Sequence, residues 1–498
     1  MNKEEMLQKY EEWLFKQSAY NLALAIIYID KMTNAPVAGS EYREKRNAYL
    51  AGELFSIITD KEIFKILEEL KDDEEIDFDI RRAMQLYHEK VSNIICIPKE
   101  EYVEFTEFIN KSYNAWYEAK NKDDYSIFEP YLKKMIEYQK TRYGYRNSDM
   151  SIYNQMLNDY EPGMTEESYD AFFDVIKERL IPLIKKVNEA NKIDNAFLFR
   201  KYDVDKQKIF MDSLLRYLRF DKEWGFQSET EHPFTSWTCE NDCRTTTKYM
   251  NNHVMGAITS TVHEIGHATY EHNIDAKFDG MIISDGVSSG MHESQSRLME
   301  NYLGKTLAFW EYNYPLLQQC FPEQLKDISL EEFVKAINAS ESSAIRTEAD
   351  ELTYPLHVLI RYEIEKGLFN GTISTESLNE TWKAKYKEYL DIDIENDRDG
   401  ILQDVHWADG NFGYFPTYAL GSAYAAQFMN KMRKDIDVDD LLRNNKFNVI
   451  VEWLKENIHK YGALYDADII LEKATGKKFD VNEYIEYLED KYTKLYNL

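Results

Sequence analysis

His263, Glu264 and His267 stand in the pattern His-Glu-x-x-His inside the segment HVMGAITSTVHEIGHATYEH, and this segment limits what the chain can fold into. Residues four apart lie on one face of a helix, one above the other. The spacing therefore predicts a helix whose two imidazoles can reach a single metal ion. Ala257, Ile258, Val262, Ile265 and Ala268 give that helix an apolar face, so it is expected to be buried. A buried His or Glu needs a partner, and a metal supplies one. A chance pair of surface histidines, the plainer alternative, would not carry such an apolar flank. Gly266, between the two histidines, is expected to admit close approach of another backbone or a substrate.

Zinc is the usual metal for nitrogen and oxygen donors that leave one position open. Glu264, next to the first histidine, is then placed to take a proton from the attacking water, which is the chemistry of zinc-dependent peptide hydrolysis. A third ligand is needed. Glu293, in GMHESQSRLMENYLG, follows a turn-back loop (IDAKFDGMIISDGVSSG) and opens a second helix with Ser289 as N-cap and Gly304 as stop. A solvated helix carboxylate is the ordinary fate of a Glu, and the neighbouring His292 is an alternative ligand. Glu293 is preferred because His-Glu-x-x-His followed by a Glu on a later helix is a recurrent plan among such enzymes. The extended His-x-x-Gly-x-x-His form is absent, since ATYEHN follows His267.

Helical periodicity dominates the rest of the 498 residues. Apolar positions at three and four spacing predict helices over 4–29, 39–57, 60–70, 79–93, 99–120, 128–141 and 166–190, and again over 355–369, 376–390, 417–433, 446–460 and 481–496. Two segments read as strands: FLFRKYD at 197–203 and CRTTTKYM at 243–250. The expectation is a mainly α protein with a small sheet beside the metal, whose edge can pair with an extended peptide. With 10 Pro, 19 Gly and no linker-like run, residues 1–498 are expected to form one catalytic unit.

The net charge of −29 disfavours nucleic acid and anionic membranes as partners. Apolar runs are too short to span a bilayer, and residues 1–20 do not read as a signal peptide. Cys96, Cys239, Cys243 and Cys320 form no Cys-x-x-Cys pair and no disulfide framework. A cytoplasmic protein is the expectation.

Several further segments look chemical: HPF at 232–234, DCRTT at 242–246, HES at 292–294, IRTEAD at 345–350 and GILQDVHW at 400–407, the last leading into ADGNFGYFPTYALG. Taken singly, each has a plain reading. Asp242 with Arg244 reads as a surface pair, and Arg346 with Asp350 as a pair one turn apart on a helix that IRTEAD opens. Taken together and in this order with HEIGH, they resemble the zinc metallocarboxypeptidases of the carboxypeptidase Taq family. Thr269, His272 and Met299 depart from the pattern of that family and are expected to alter the wall of the pocket.

The resemblance implies a large helical fold of the gluzincin kind, similar to neurolysin and angiotensin-converting enzyme, with a deep cleft. It implies removal of single residues from peptide C-termini with broad specificity, zinc that cobalt can replace, and a homodimer. His263, His267 and Glu293 would hold the metal, and Glu264 would serve as general base. Similarity to comparable enzymes makes His406 and Tyr414 the donors to the developing oxyanion, with Tyr418 in reserve. A terminal carboxylate is best recognised by an arginine fork, so Arg346 is the first candidate and Arg244 the second. Asp242 and His232 are expected to orient the ligands or the strand. Two rival readings remain, an oligoendopeptidase on the same fold and a non-catalytic zinc-stabilised binding protein. The first would lack the arginine clamp, and the second would have no use for Glu264.

Overall fold

The computed structural model describes residues Met1–Leu498. The chain is mainly helical, and its strands are confined to one small sheet. The predicted periodic segments appear as helices, among them α1 (Lys3–Thr33), α2 (Ser40–Ile58) and the helices Lys61–Leu70, Lys99–Lys122 and Glu166–Glu189. None is long and apolar enough to cross a membrane.

The sheet holds β1 (Gly225–Glu229), β2 (Thr235–Cys239) and β3 (Asp242–Thr247) in the order β1-β3-β2. β1 runs parallel to β3, and β2 antiparallel to it. The segment predicted as a strand near 243–250 is therefore the central strand, and both of its edges are taken. The edge strand on the cleft side is β2. The other strand expectation fails. Residues 197–203 form a 3-10 turn (Ala196–Phe199) followed by extended chain. Phe197, Leu198 and Tyr202 are buried in the main core, and the Tyr202 N–H donates to the Asn251 carbonyl (2.7 Å) rather than to a strand partner.

Behind the sheet lies α3 (Val254–His272), the helix of the HEIGH segment. Alternate residues of β3 point to opposite faces. Thr247 lies on the α3 side, its hydroxyl donating to the Ala257 carbonyl (3.2 Å). The chain then turns back through Ile274–Val287, which contains two short 3-10 turns, and enters α4 (Ser289–Arg297). Ser288, one residue earlier than predicted, caps α4 by accepting from the Met291 N–H (3.1 Å). The buried Glu161 carboxylate accepts from the Ser288 hydroxyl (2.9 Å) and the Gly290 N–H (2.8 Å), as suits an anion at a helix N-terminus. α4 continues into a π-helical turn, Leu298–Leu303, ending at Gly304.

IRTEAD does not open a helix. Arg346–Glu348 is a 3-10 turn, and the helix α5 begins only at Tyr354 (Tyr354–Asn370). The most extensive helix contact in the molecule joins α4 to α6 (Pro416–Asp435). Most of the core is one cluster built around α3 to α6, and a smaller one joins α1 to the helices Lys61–Leu70 and Phe78–Ile95 through Trp13, Leu67 and Met84.

Candidate active site

Two glycines bring the site together. A β-carbon on Gly266 would sit 2.5 Å from the Gln295 carbonyl oxygen and the Ser296 α-carbon, so α3 and α4 meet there backbone to backbone. On the other side of α4, a β-carbon on Gly421 of α6 would lie 2.8 Å from the β-carbon of Glu293. Glu293 is thereby pressed against the His-bearing face of α3. Only residues without a side chain permit this spacing.

His263 Nε2 and His267 Nε2 both face Glu293 Oε2, at 3.7 Å and 3.5 Å. Donors arranged tetrahedrally at zinc distances stand about 3.3 Å apart, so these three residues fit a metal ion with little adjustment. Their supports fit it too. His263 Nδ1 donates to Glu300 Oε2 (2.8 Å), which frees Nε2 for the ion. Arg297 holds the other oxygen of Glu293 (2.6 Å) and also contacts Glu300 (3.1 Å). Burial works against charge on Glu293, yet Arg297 and His263 outweigh it and hold its carboxyl well below the usual range. Burial also keeps the His267 imidazole neutral, with its pKa lowered to about 3.

Glu264 is buried on the same helix. The Thr235 hydroxyl of β2 donates to its Oε2 (2.6 Å). Burial raises the pKa of this carboxyl above the ordinary Glu value, which makes it a better proton acceptor once ionised. These groups open into a cleft of about 570 Å³ lined also by Phe234, Ser289, Tyr414 and Tyr418. A larger groove of about 1140 Å³ runs along β1 at the far edge of the sheet and contains none of the candidate residues.

The remaining candidates separate into two groups. Tyr414 and Tyr418 line the cleft. Burial raises the Tyr414 hydroxyl to about 12, so it stays a donor across the physiological range. His406 stands behind them, its Nε2 3.3 Å from the Tyr418 hydroxyl, and burial lowers its pKa to about 4. Arg346 lies beneath Tyr418, with its guanidinium carbon 5.1 Å from that ring. It pairs with Asp404 (3.0 and 2.8 Å) and not with Asp350, and its Nη1 donates to the Tyr354 hydroxyl (3.0 Å). Asp404 is shared with the buried Arg361 (2.7 Å). Arg244 lies on β3 next to Cys243, which shares the α3 side with Thr247, and so points to the opposite face. It pairs with Asp242 (2.9 Å to Nη2), and neither lines the cleft. His232 is exposed, and the residue of this region that orients Glu264 is Thr235. The three departures from the family pattern also lie off the cleft: Thr269 and Met299 are buried, and His272 stacks on Trp224 at 3.9 Å.

Sequence reasoning missed Glu300, Arg297 and Thr235. Arg297 was within reach, since it stands one turn after Glu293 with opposite charge. Glu300 was not, because its partner His263 lies on another helix, 37 residues away in sequence. Asp404 and Arg361 meet only in three dimensions.

Two imidazoles and a carboxylate converging beside a second, hydroxyl-bonded carboxylate are the donor set of a metal-dependent peptide hydrolase. The family model described as Carboxypeptidase Taq (M32) metallopeptidase matches residues 9–492. Carboxypeptidase 1 of Bacillus subtilis (strain 168) is 42% identical, with 99% of each chain covered. Thermostable carboxypeptidase 1 of Thermus thermophilus is 35% identical, with 97% of each covered. The crystal structure of the M32 carboxypeptidase from Deinococcus radiodurans R1 superposes with a TM-score of 0.96 at 32% identity, covering 99% of this chain and 100% of that one. The chain belongs to the M32 family of metallocarboxypeptidases.

Proposed function

We propose that this metallocarboxypeptidase is zinc-dependent and releases single amino acids from peptide C-termini with broad specificity, with His263, His267 and Glu293 holding the ion and Glu264 acting as general base. The convergence of three donors at metal-like spacing carries the reading. When bound, the ion polarises the scissile carbonyl and makes water a nucleophile at neutral pH. Glu264, held by Thr235, takes the proton of the attacking water and returns it to the leaving amine. The hydroxyl of Tyr414 donates to the oxygen on which negative charge develops. Neutral His406 keeps Tyr418 in place beside it.

Arg346 is the proposed clamp for the terminal carboxylate. Its contacts with Asp404 and Tyr354 leave one N–H on each Nη without a partner, and these two can form a fork. The substrate must reach past Tyr418 to meet them. The edge of β2 beside Thr235 is proposed to pair with the extended peptide backbone. The fold is proposed to be of the neurolysin and angiotensin-converting-enzyme kind, and the protein a cytoplasmic homodimer in which cobalt can replace zinc. The test is direct. Purified protein should release free C-terminal residues from mixed peptides, lose this activity to a chelator and regain it with zinc. Activity that survives complete metal removal overturns the proposal.

A further inference from the structure

One cluster of ionisable groups at the cleft wall has no direct part in the chemistry above. Glu271 lies one turn beyond His267 on α3, Asp285 on the turn-back loop and His292 on α4. One donor atom from each lies within 4.8 Å of the others. Glu271 is buried, whereas Asp285 is exposed and lines the cleft together with His292. His292 Nε2 meets Glu271 Oε1 at 2.6 Å. Neither carboxylate pairs with a lysine or arginine, so one imidazole faces two acids. Glu293 and Glu300, in contrast, share Arg297.

The loop is built to this position. A β-carbon on Gly286 would fall 2.6 Å from His292 Cδ2 and 3.0 Å from the Tyr270 ring, so the glycine next to Asp285 lets the loop close over His292.

We propose that Glu271, Asp285 and His292 form a second, weaker site for a divalent transition-metal ion such as zinc, in the same cleft as the first. Two carboxylate oxygens and an imidazole nitrogen are a zinc donor set with room for solvent in the remaining position. The two sites are coupled through one contact: His267 Nδ1 lies 2.5 Å from His292 Nδ1. A neutral imidazole that binds metal through Nε2 carries its proton on Nδ1. Only one such proton fits between these two atoms. With His267 on the first ion, its Nδ1–H donates to His292, whose own proton then sits on Nε2, toward Glu271. A second ion at His292 Nε2 must displace that proton and break the His267–His292 bond. The second ion therefore binds more weakly than the first, by about tenfold or more. It also removes the support of His267, so zinc in excess should depress turnover.

The inference rests on His267 as a ligand of the first ion, and the two readings fail separately. Metal-stripped full-length protein is dialysed against zinc over a wide concentration range, and bound zinc per chain is measured. Wild type should take up one tight and one weaker equivalent. Asp285→Asn and Asp285→Ala, both on an exposed loop, should lose the weaker one and keep the tight one. His263→Ala should lose the tight one. Saturation of wild type at one equivalent, or a weaker equivalent unchanged in both Asp285 variants, overturns the second site. A tight equivalent that survives His263→Ala overturns the first site and leaves the second standing.

Discussion

Gly266 touches Ser296: the α-carbon of Ser296 lies 2.5 Å from where a β-carbon of Gly266 would be. That contact sets the distance between α3 and α4, and hence between the two histidines and Glu293. Gly266→Ala should force the helices apart. Overpacking of this kind costs about 1–3 kcal/mol. The expected outcome is a lower Tm in the metal-free protein and zinc affinity weakened by about tenfold or more, read by competition with a chromophoric chelator. Unchanged zinc affinity would mean that the spacing of α3 and α4 does not set the site.

His459 lies behind the site and ties the loop after α3 to α4. Asn273 donates to its Nδ1 (3.1 Å), and its Nε2 donates to Gln295 (2.8 Å). The first contact requires a neutral ring, with Nδ1 free to accept, and burial lowers the His459 pKa to about 3. The unfolded chain takes a proton near 6.5, the folded chain only near 3. This residue thus contributes stability that is present above pH 6.5 and lost as pH falls toward 3, roughly a few kcal/mol in all. His459→Gln should therefore lose less Tm than wild type between pH 6.5 and 4. Parallel pH profiles for the two proteins would contradict this.

Much of this was readable in the chain because it is local. The spacing of His263 and His267, the apolar face of their helix and the amphipathic helices around them follow from a period of 3.6 residues. The sheet was only partly readable. GFQSE and TSWTC lack the apolar alternation of a half-buried strand, and they pair because β3 lies between them. FLFRKYD has the composition of a strand, but Phe197, Leu198 and Tyr202 join the core from a 3-10 turn and the extended chain after it, while Phe199 stays exposed. The supports of the site were hidden for another reason. Glu300 against His263, His292 against His267 and Asp404 between two arginines are contacts between elements far apart in sequence.

Recognition of the substrate terminus separates the two arginines. Arg346→Ala should weaken cleavage of free-acid peptides by roughly 10- to 150-fold, the range of a buried charge-assisted contact. The same peptides capped as amides should be poor substrates for both wild type and variant. Arg244→Ala, which breaks only the pair with Asp242, should keep the acid-over-amide preference. Loss of that preference in Arg244→Ala alone would move the clamp to β3. Because Asp404 would be left with Arg361 alone, Arg346→Lys serves as the check on folding.

The central claim is that Glu264 handles protons while His263, His267 and Glu293 hold the ion. Zinc content and turnover measured on one sample of Glu264→Gln test it most directly. The variant keeps the size of the side chain and an oxygen acceptor for Thr235, but cannot accept a proton. The account predicts an undiminished tight zinc equivalent per chain, with kcat reduced by about 10²-fold or more. Loss of the tight zinc equivalent, or turnover near that of wild type, would contradict it.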